Sequence, residues 1–389
     1  MIEKNIISKY KIREQNEALI LKNIINHKNI SRAELSSLTG LNKASVSSIT
    51  KSLIEDQLII ETGIGSGSTQ GGRKPILLQF NPKAATMLAF DIGTDYIDGV
   101  LAYLDGGKIA SFKEKRLEVT SENVLSLLES MVIKLTQHSK YIIAGMCVGI
   151  HGVVHNNQII FTPHYDLDAV NLYEKLTEKY DYPIFVENEA NLAALGEYVF
   201  ALDSTSLVSI SIHSGIGAGI VDHGILQKGI SGEAGEIGHS ILYPNGKACP
   251  CGNHGCLEQY TSNTTLYKKI ATNKQINYVD STIIKQLIDT NDLETVKELE
   301  HNAFLLSIGI NNIITIYDPE VVVINSSVYR QAPFLLPKIN NHLTSQFAKK
   351  VKIQNSSLGS QAAILGGIAL CCQQFLNITE LKLASIDGE

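Results

Sequence analysis

Two glycine turns decide the fold, MLAFDIGTD at residues 87–95 and VSISIHSGIGAGIV at residues 208–221. In each stretch an apolar run typical of a buried strand meets a turn and continues into a second apolar run, which predicts a β-hairpin. Because the pattern occurs twice, we expect a duplicated fold with a cleft between two lobes. Glycine backbone can approach a phosphate closely, so the turns indicate either a nucleotide site or tight turns alone.

A polar cluster, ENEAN at residues 187–191, lies between the two turns and follows the apolar run PIFV at residues 183–186. Ligands of α/β folds bind at the carboxyl ends of strands. Two carboxylates and two amides within five residues offer the many hydrogen-bonding groups that a polyol needs. The cluster therefore predicts a polyol site, and the alternative is a polar cap at the start of the next helix.

The most specific signal is EIGH at residues 236–239, followed by CPCGNHGC at residues 249–256. One imidazole and three thiols at this spacing predict a closed tetrahedral Zn²⁺ site. A disulfide between two of the cysteines would leave the third unpaired and is disfavoured in a reducing compartment. The expected ligands are His239, Cys249, Cys251 and Cys256.

The first 80 residues have the features of a DNA-binding domain. SRAE at residues 31–34 predicts a capping box that opens a helix, and Gly40 predicts its end. A third helix over residues 43–55, joined by a short turn, completes a helix-turn-helix whose last member would enter a major groove. Five polar side chains are expected to face outward, namely Ser45, Ser47, Ser48, Thr50 and Lys51. The predicted DNA contacts on this helix are Lys43, Ser45, Ser47, Ser48 and Lys51.

Two apolar runs at residues 58–61 and 76–80 flank a segment rich in Gly and Ser, which predicts a hairpin that serves as the wing of a winged helix. Within it, Arg73 and Lys74 are expected to contact DNA, with Arg73 in a minor groove. The alternative is a small helical packing domain followed by a flexible linker.

The distribution of charge agrees with a separate DNA-binding domain in the first 80 residues. The 389 residues carry a net charge of −6, yet residues 1–80 hold eight Lys and three Arg against six Glu and one Asp. A basic head on an acidic body indicates that the head alone binds a polyanion. No apolar run reaches the ~20 residues of a membrane span, and the first residues lack the pattern of a signal peptide. We therefore expect a cytoplasmic protein with no membrane partner.

Together the motifs GAG at residues 217–219, GEAGEIGH at residues 232–239 and CPCGNHGCLE at residues 249–258 resemble the ROK family of repressors, open reading frames and kinases. The resemblance covers nearly the whole chain, and the wing and the NEAN motif look most like the xylose repressors. It implies a two-lobed, actin-like α/β fold of the sugar-kinase type, preceded by the winged helix-turn-helix, and a homodimer or higher oligomer. We expect the domains at residues 1–80, 84–200 and 201–358, with a helix at 359–389 that returns to the first lobe.

The same resemblance implies which residues contact the sugar. His239 would also be the zinc ligand, so the metal would shape the pocket, and His151 stands in the glycine loop beside the sugar. The expected sugar contacts are Asn188, Glu189, Glu236, His239 and Glu258.

Two departures from the kinases of this family bear on activity. The second Gly of their Asp-x-Gly-Gly-Thr loop is missing at Gly93-Thr94, where Asp95 adds a carboxylate, and Glu189 replaces a catalytic Asp. A general base misplaced by about 1 Å can lose ~10²-fold in rate. We therefore expect a sugar-responsive repressor of carbohydrate-utilisation genes that binds a palindromic operator, is released by sugar and is not an enzyme. The alternative is a sugar kinase with an accessory DNA-binding domain, and the sequence does not identify the sugar.

Overall fold

The computed structural model describes residues 2–64, 74–137, 139–163 and 165–383. A small N-terminal unit, which we call the head (residues 2–64 and 74–80), precedes a body built around two five-stranded sheets. No helix in these ranges is long and apolar enough to cross a lipid bilayer.

The head consists of three helices and a small antiparallel sheet with strand order β1-β3-β2. Its elements are α1 (Ile2–His27), β1 (Ile30–Ser31), α2 (Arg32–Thr39), α3 (Lys43–Glu55), β2 (Ile59–Ile64) and β3 (Ile76–Phe80). One apolar core joins the helices to the sheet, because α1, α2 and α3 each direct buried aliphatic side chains inward. These side chains are Ile20, Leu21, Ile24, Leu35, Val46, Ile49 and Leu53.

Capping groups define the ends of α2 and α3 in the head. The capping box is confirmed, since Ser31 Oγ accepts from Glu34 N while Glu34 Oε2 accepts from Ser31 N. Gly40 ends α2 with φ +70°, the left-handed conformation that glycine adopts at least cost. Asn42 then caps α3 by accepting from Ser45 N at 2.9 Å. These local signals explain why both helices lie where the sequence predicts them.

One prediction on α3 was wrong, because Thr50 is fully buried rather than outward. Position 50 lies one helical turn from Val46 and Leu53, on the apolar face. Its hydroxyl donates to Val46 O at 2.8 Å and accepts from Arg32 Nε at 3.0 Å. A threonine can occupy this core position because both hydrogen bonds are made inside the protein.

The first sheet of the body has the strand order β10-β7-β4-β5-β6. β4, β7 and β10 run parallel to one another, while β5 and β6 continue antiparallel from the glycine hairpin. The elements of this lobe are β4 (Thr86–Ile92), β5 (Tyr96–Tyr103), β6 (Lys108–Lys115), α4 (Val124–Thr136), β7 (Ile143–Ile150), β8 (Val153–His155), β9 (Gln158–Phe161), α5 (Leu172–Lys179), β10 (Ile184–Asn188) and α6 (Glu189–Gly196).

The second sheet repeats this topology, in the order β13-β12-β11-β14-β15. Again one hairpin supplies the antiparallel strands and two parallel strands extend the other side. The repeat confirms the duplicated, two-lobed α/β fold. The elements are β11 (Ser206–Ile212), β12 (Ile216–Asp222), β13 (Ile225–Leu226), α7 (Glu258–Thr261), α8 (Asn263–Lys274), α9 (Ser281–Asp289), α10 (Leu293–Tyr317), β14 (Val321–Ser326), α11 (Ser327–Gln331), α12 (Leu335–His342) and β15 (Lys352–Asn355).

The last described helix, α13 (Ala362–Leu376), packs against α6 and against strands β4 and β7 of the first lobe. The two helices meet at backbone distance, because a Cβ at Gly366 would lie 1.7 Å from Leu192 O and one at Gly196 would lie 2.3 Å from Ala362 O. The predicted extension of this segment over residues 384–389 lies outside the described residues.

Candidate functional site

A cleft of about 420 Å³ lies between the two sheets, where β7, β10 and β11 end. Because parallel strands of one sheet present their carboxyl ends at the same edge, the polar residues that follow them converge there. All five side chains predicted to contact sugar line this cleft, namely Asn188, Glu189, Glu236, His239 and Glu258. The sequence did not single out Val153, Phe161, Ser211 and Glu233, which line it as well.

Asn188 and Glu189 stand at the start of α6, facing the cleft. Asn188 caps the helix by accepting from Asn191 N at 3.1 Å, and its amide donates to Gly152 O at 2.7 Å. These two bonds hold the Asn188 side chain in one orientation. A carboxylate at the first position of a helix also interacts favourably with the helix dipole, which suits Glu189.

Glu189 connects the two lobes, although it is only 6% exposed. Its Oε1 accepts from Ser211 Oγ at 3.2 Å and lies 3.7 Å from His213 Nε2, and both partners belong to the second lobe. Burial acts to raise the pKa of Glu189, but His213 and then His151 outweigh it and lower that pKa below its usual value. The cleft therefore contains an ionised carboxylate that can accept hydrogen bonds.

The first glycine turn is filled by aromatic side chains, which the sequence did not reveal. Tyr96 donates to Asp91 Oδ2 at 2.7 Å, and His151 Nε2 lies 3.1 Å from Asp91 Oδ1. The Tyr96 ring covers Gly93, since a Cβ there would lie 2.2 Å from the ring. Asp95, by contrast, is exposed.

The charges of this cluster are strongly coupled. Burial acts to lower the pKa of His151, but the carboxylate of Asp91, with a smaller contribution from Glu189, raises it to about 9. The same contact, together with the hydroxyl of Tyr96, keeps the pKa of Asp91 low despite burial. The Asp91 carboxylate thus already has a cationic partner and a hydroxyl partner within the protein.

His239, Cys249, Cys251 and Cys256 form a cluster whose ligand atoms all lie within 4.8 Å of one another. The Sγ atoms of Cys251 and Cys256 are 3.7 Å apart, and Cys249 Sγ lies 3.5 Å from His239 Nδ1. Tetrahedral zinc, with bonds of about 2.3 Å to sulfur and about 2.0 Å to nitrogen, requires a sulfur–sulfur separation of about 3.8 Å and a sulfur–nitrogen separation of about 3.5 Å. The cluster can therefore hold a metal ion of this size. His254 is exposed and is not part of it.

A tight loop forms the cluster, and its shape depends on glycine. Gly255 has φ +87°, and a Cβ there would lie 1.7 Å from Tyr243 O. Cys249 N donates to Asn253 O at 2.9 Å, which closes the turn around Gly252. The two ring nitrogens of His239 point in different directions. Nδ1 faces Cys249 in the cluster, whereas Nε2 lies 3.8 Å from Glu236 Oε2 in the cleft.

Glu258 joins the cluster to the cleft. Its Oε1 lies 3.3 Å from Cys249 Sγ and 3.7 Å from His239 Nδ1, and it stands at the start of α7. Groups that contact metal ligands in this way orient them. The position of two cleft side chains, His239 and Glu258, thus depends on the same loop.

Most of the described residues predicted to contact DNA are exposed on the head. Lys43, Ser47, Ser48 and Lys51 are exposed on α3, whereas Ser45 is half-buried. Lys74 is exposed just before β3, and Arg73 lies outside the described residues. Lys51 Nζ is 3.8 Å from Glu55 Oε1, so its charge is only loosely paired.

The family model, the related sequences and the related structures all point to the ROK family. The ROK family model matches residues 87–374, a range that begins after the head. The xylose repressors of Bacillus spizizenii and Bacillus subtilis are 35% and 34% identical to the chain, cover 95% and 94% of it, and are covered over 98% and 97% of their own length.

Among solved structures, a ROK family transcriptional regulator described as a homologue of the Escherichia coli Mlc protein superposes with a TM-score of 0.82, at 27% identity over 94% of this chain and 97% of its own. A ROK family glucokinase from Streptomyces griseus, in complex with glucose and AMPPNP, reaches 0.65 at 22% identity over 74% of this chain and 99% of its own. The glucokinase shares the fold of the body.

Proposed function

The chain belongs to the ROK family, and we propose that it is a transcriptional repressor whose binding to operator DNA is weakened by a sugar, xylose or a related one. The single observation that carries the proposal is a basic head with an exposed helix of lysines and serines, joined to a body whose polar cleft lies between two lobes. The named relatives that match the chain over nearly its full length are repressors.

The sugar would lie in the cleft and contact residues of both lobes. Glu189, Glu236 and Glu258 accept hydrogen bonds from its hydroxyl groups, and His239 Nε2 faces the same space. Asn188 positions the loop at Gly152. Because Glu189 already contacts Ser211 and His213 across the cleft, a sugar that replaces these contacts changes the separation of the lobes.

The body does not act as an enzyme in this proposal. Both oxygens of the Asp91 carboxylate are engaged, one by Tyr96 and the other by His151, and these partners compete with a nucleotide or its metal ion for that carboxylate. The Tyr96 ring covers the turn whose backbone would otherwise approach a phosphate. These contacts weigh against the sugar kinase alternative, and so do the named repressors among the relatives.

We assign zinc to the cluster of His239, Cys249, Cys251 and Cys256, because three thiols and one imidazole at tetrahedral spacing suit zinc better than magnesium or calcium. The ion has a structural role there: it fixes the loop that carries His239 and Glu258 into the cleft.

The head acts as a winged helix-turn-helix in the cytoplasm, with α3 in the major groove. Lys43, Lys51 and Lys74 contact phosphates, the serines at positions 45, 47 and 48 approach base edges, and Arg73 reaches the minor groove. Two chains in a symmetric dimer bind the two halves of a palindromic operator.

The decisive experiment measures operator affinity with and without D-xylose, on an operator selected from random DNA with this protein. Couplings between two ligand sites usually lie between about 5-fold and 150-fold, and we expect xylose to weaken operator binding within that range. By reciprocity, operator must weaken xylose binding by the same factor. If calorimetry shows xylose bound while operator affinity stays unchanged, repression responsive to this sugar is excluded.

A matched pair of variants tests the site itself. Glu189→Gln removes the carboxylate that bridges the lobes and is expected to bind operator but to lose the response to xylose. The control is Glu300→Gln, since Glu300 pairs with Lys338 on the surface of the second lobe and should respond fully. A full response by Glu189→Gln removes Glu189 from the sugar site, and ADP release from ATP and xylose would revive the kinase alternative.

A further inference from the structure

The C-terminal segment, residues 377–383, follows α13 and lies between the body and the head. It is well anchored. Leu381 and Leu383 are buried, Leu383 N donates to Val199 O at 2.8 Å, and Gln373 donates to Thr379 O. The segment therefore has a defined path over the protein surface.

Lys382 attaches this segment to the end of the α6 region. Its ammonium group donates to the carbonyl oxygens of Tyr198, Leu202 and Ser204 at 2.8–2.9 Å, so all three donors are used. It also lies 3.3 Å from the centroid of the Tyr198 ring. Burial lowers the pKa of Lys382 to about 8.

The same segment contacts the head two residues earlier. Glu380 Oε2 lies 2.5 Å from Lys22 Nζ on α1, and this is an exposed pair. A cleft of about 180 Å³ lies beside this pair, between Leu21 and Leu53 of the head and Leu376 of α13. Around the cleft, buried side chains of the head and of the body, Leu381 and Leu383 among them, belong to one apolar cluster. A displacement of the segment therefore reaches the head through packed side chains as well as through the ion pair.

The helix that Lys382 anchors begins in the sugar cleft. α6 starts at Glu189, and all residues from there to Phe200 are buried, with a π-helical turn over Glu197–Ala201. The backbones of α6 and α13 are in close contact at Gly196 and Gly366, so α6 is packed tightly against that helix. A displacement at Glu189 is thus carried to the far end of the helix, because close-packed interiors transmit strain.

We propose that residues 377–383 carry the sugar signal to the head, with Lys382 as the positioning residue at the body end and the Lys22–Glu380 pair as the contact at the head end. The inference rests on the proposed function and names its regulation. An exposed ion pair contributes little to stability. Its loss should therefore leave the protein folded, so a reduced coupling between sugar and operator would not be a consequence of unfolding.

The test uses a charge swap on the full-length protein. Lys22→Glu and Glu380→Lys are each expected to reduce the coupling, defined as the ratio of operator Kd with and without D-xylose, by about two- to fivefold, the range that an exposed pair contributes. The double variant should restore it. Taking a ratio removes any direct effect of the changed charge on DNA binding. The control swap is Lys338→Glu with Glu300→Lys, a pair of similar exposure away from the segment.

Lys382→Met tests the other end and should reduce the coupling by about tenfold, as expected for loss of a charged donor with three acceptors. Calorimetry on the same samples must show xylose binding retained. If the wild type responds to xylose and the swapped and Lys382→Met proteins respond equally, the inference is overturned while the proposed function stands. If the wild type binds xylose without any response, both fall.

Discussion

His151 stands beside Asp91 in the cleft, and this pair decides what the first glycine turn can bind. In the sequence, position 151 is only a histidine in a glycine-rich loop. In the fold, its ring lies 3.1 Å from a buried carboxylate and meets the His213 ring edge-on across the cleft. A single side chain thus connects a turn of the first lobe with a turn of the second.

Stability should depend on the ionisation of His151. Its pKa is raised to about 9, so its contribution is fully present below the ordinary value of about 6.5 and is lost as the pH rises towards 9. Asp91 and Glu189 favour the charged ring, Lys113 opposes it, and Tyr96, Tyr165 and His213 complete its surroundings. His151→Gln should therefore be less stable than wild type at pH 6, by at most about 3 kcal/mol.

The difference should shrink to near zero by pH 9.5, and thermal unfolding at the two pH values measures it. His301→Gln, at an exposed position on α10, serves as the control and should track wild type. A constant difference between His151→Gln and wild type at both pH values would contradict the assignment of charge to this ring.

A second prediction concerns the loop that contains Cys249, Cys251 and Cys256. Cys251→Ser should lose the zinc, because it removes one of four ligands. His254→Ala, two residues before Cys256 but outside the cluster, should keep one zinc per chain. Elemental analysis of both purified proteins checks this, and zinc-free wild type after expression with ample zinc would rule out the site.

Among the helices, α3 and α6 differ in how much of their surface is buried. α3 buries Val46, Thr50 and Leu53 against the head and leaves a face of serines and lysines exposed. α6 has no exposed face at all, so its only access to solvent is at its first turn in the cleft. α3 therefore presents a polar surface to solvent, whereas α6 is enclosed by the protein along its length.

Lys51 tests the outer face of α3. If it contacts a DNA phosphate, Lys51→Ala should weaken operator binding and reduce the slope of log Kd against log salt by about one. Lys268→Ala, an exposed lysine on α8 of the body, should change neither. Operator titrations at four or five salt concentrations decide the matter, and an unchanged slope for Lys51→Ala would place α3 away from the phosphates.

For the whole molecule, the repeated sheet topology produces two lobes with a cleft between them, and α6 and α13 pack against each other nearby. A ligand that contacts both lobes shifts the population of their separations only if it binds one separation better than another. The head shares one apolar cluster with the body, with a cleft of about 180 Å³ beside it. If the proposed coupling holds, a change in the sugar cleft reaches the head through these packed contacts.

The last prediction concerns the number of chains that bind a palindromic operator. Light scattering of the complex should give two chains per operator, because each half-site takes one head. DNA with one half-site scrambled should bind at least about tenfold more weakly, since each lost base contact costs about 1–3 kcal/mol. Equal affinity for the full and the half operator would mean that the chain binds as a monomer.

The sequence by itself determined the features that depend on neighbouring residues. The capping box at Ser31, the left-handed end at Gly40, the two hairpins and the cysteine loop all follow from local backbone preferences, so their patterns are visible in the chain. The duplicated fold followed too, because both glycine turns carry the same pattern. The five residues predicted to contact sugar lie in one cleft, because each follows a strand or a turn whose position the topology fixes.

Only the tertiary structure decided which side chains meet once the strands and helices have packed together. Tyr96 fills the first turn, His151 pairs with Asp91, Thr50 enters the core and Lys382 binds three carbonyl oxygens some 180 positions away. No periodicity or spacing encodes such pairs, because each depends on which surfaces meet when the lobes and the head pack. Of these contacts, those of Tyr96 and His151 leave the first glycine turn filled, and that of Lys382 holds residues 377–383 on the body.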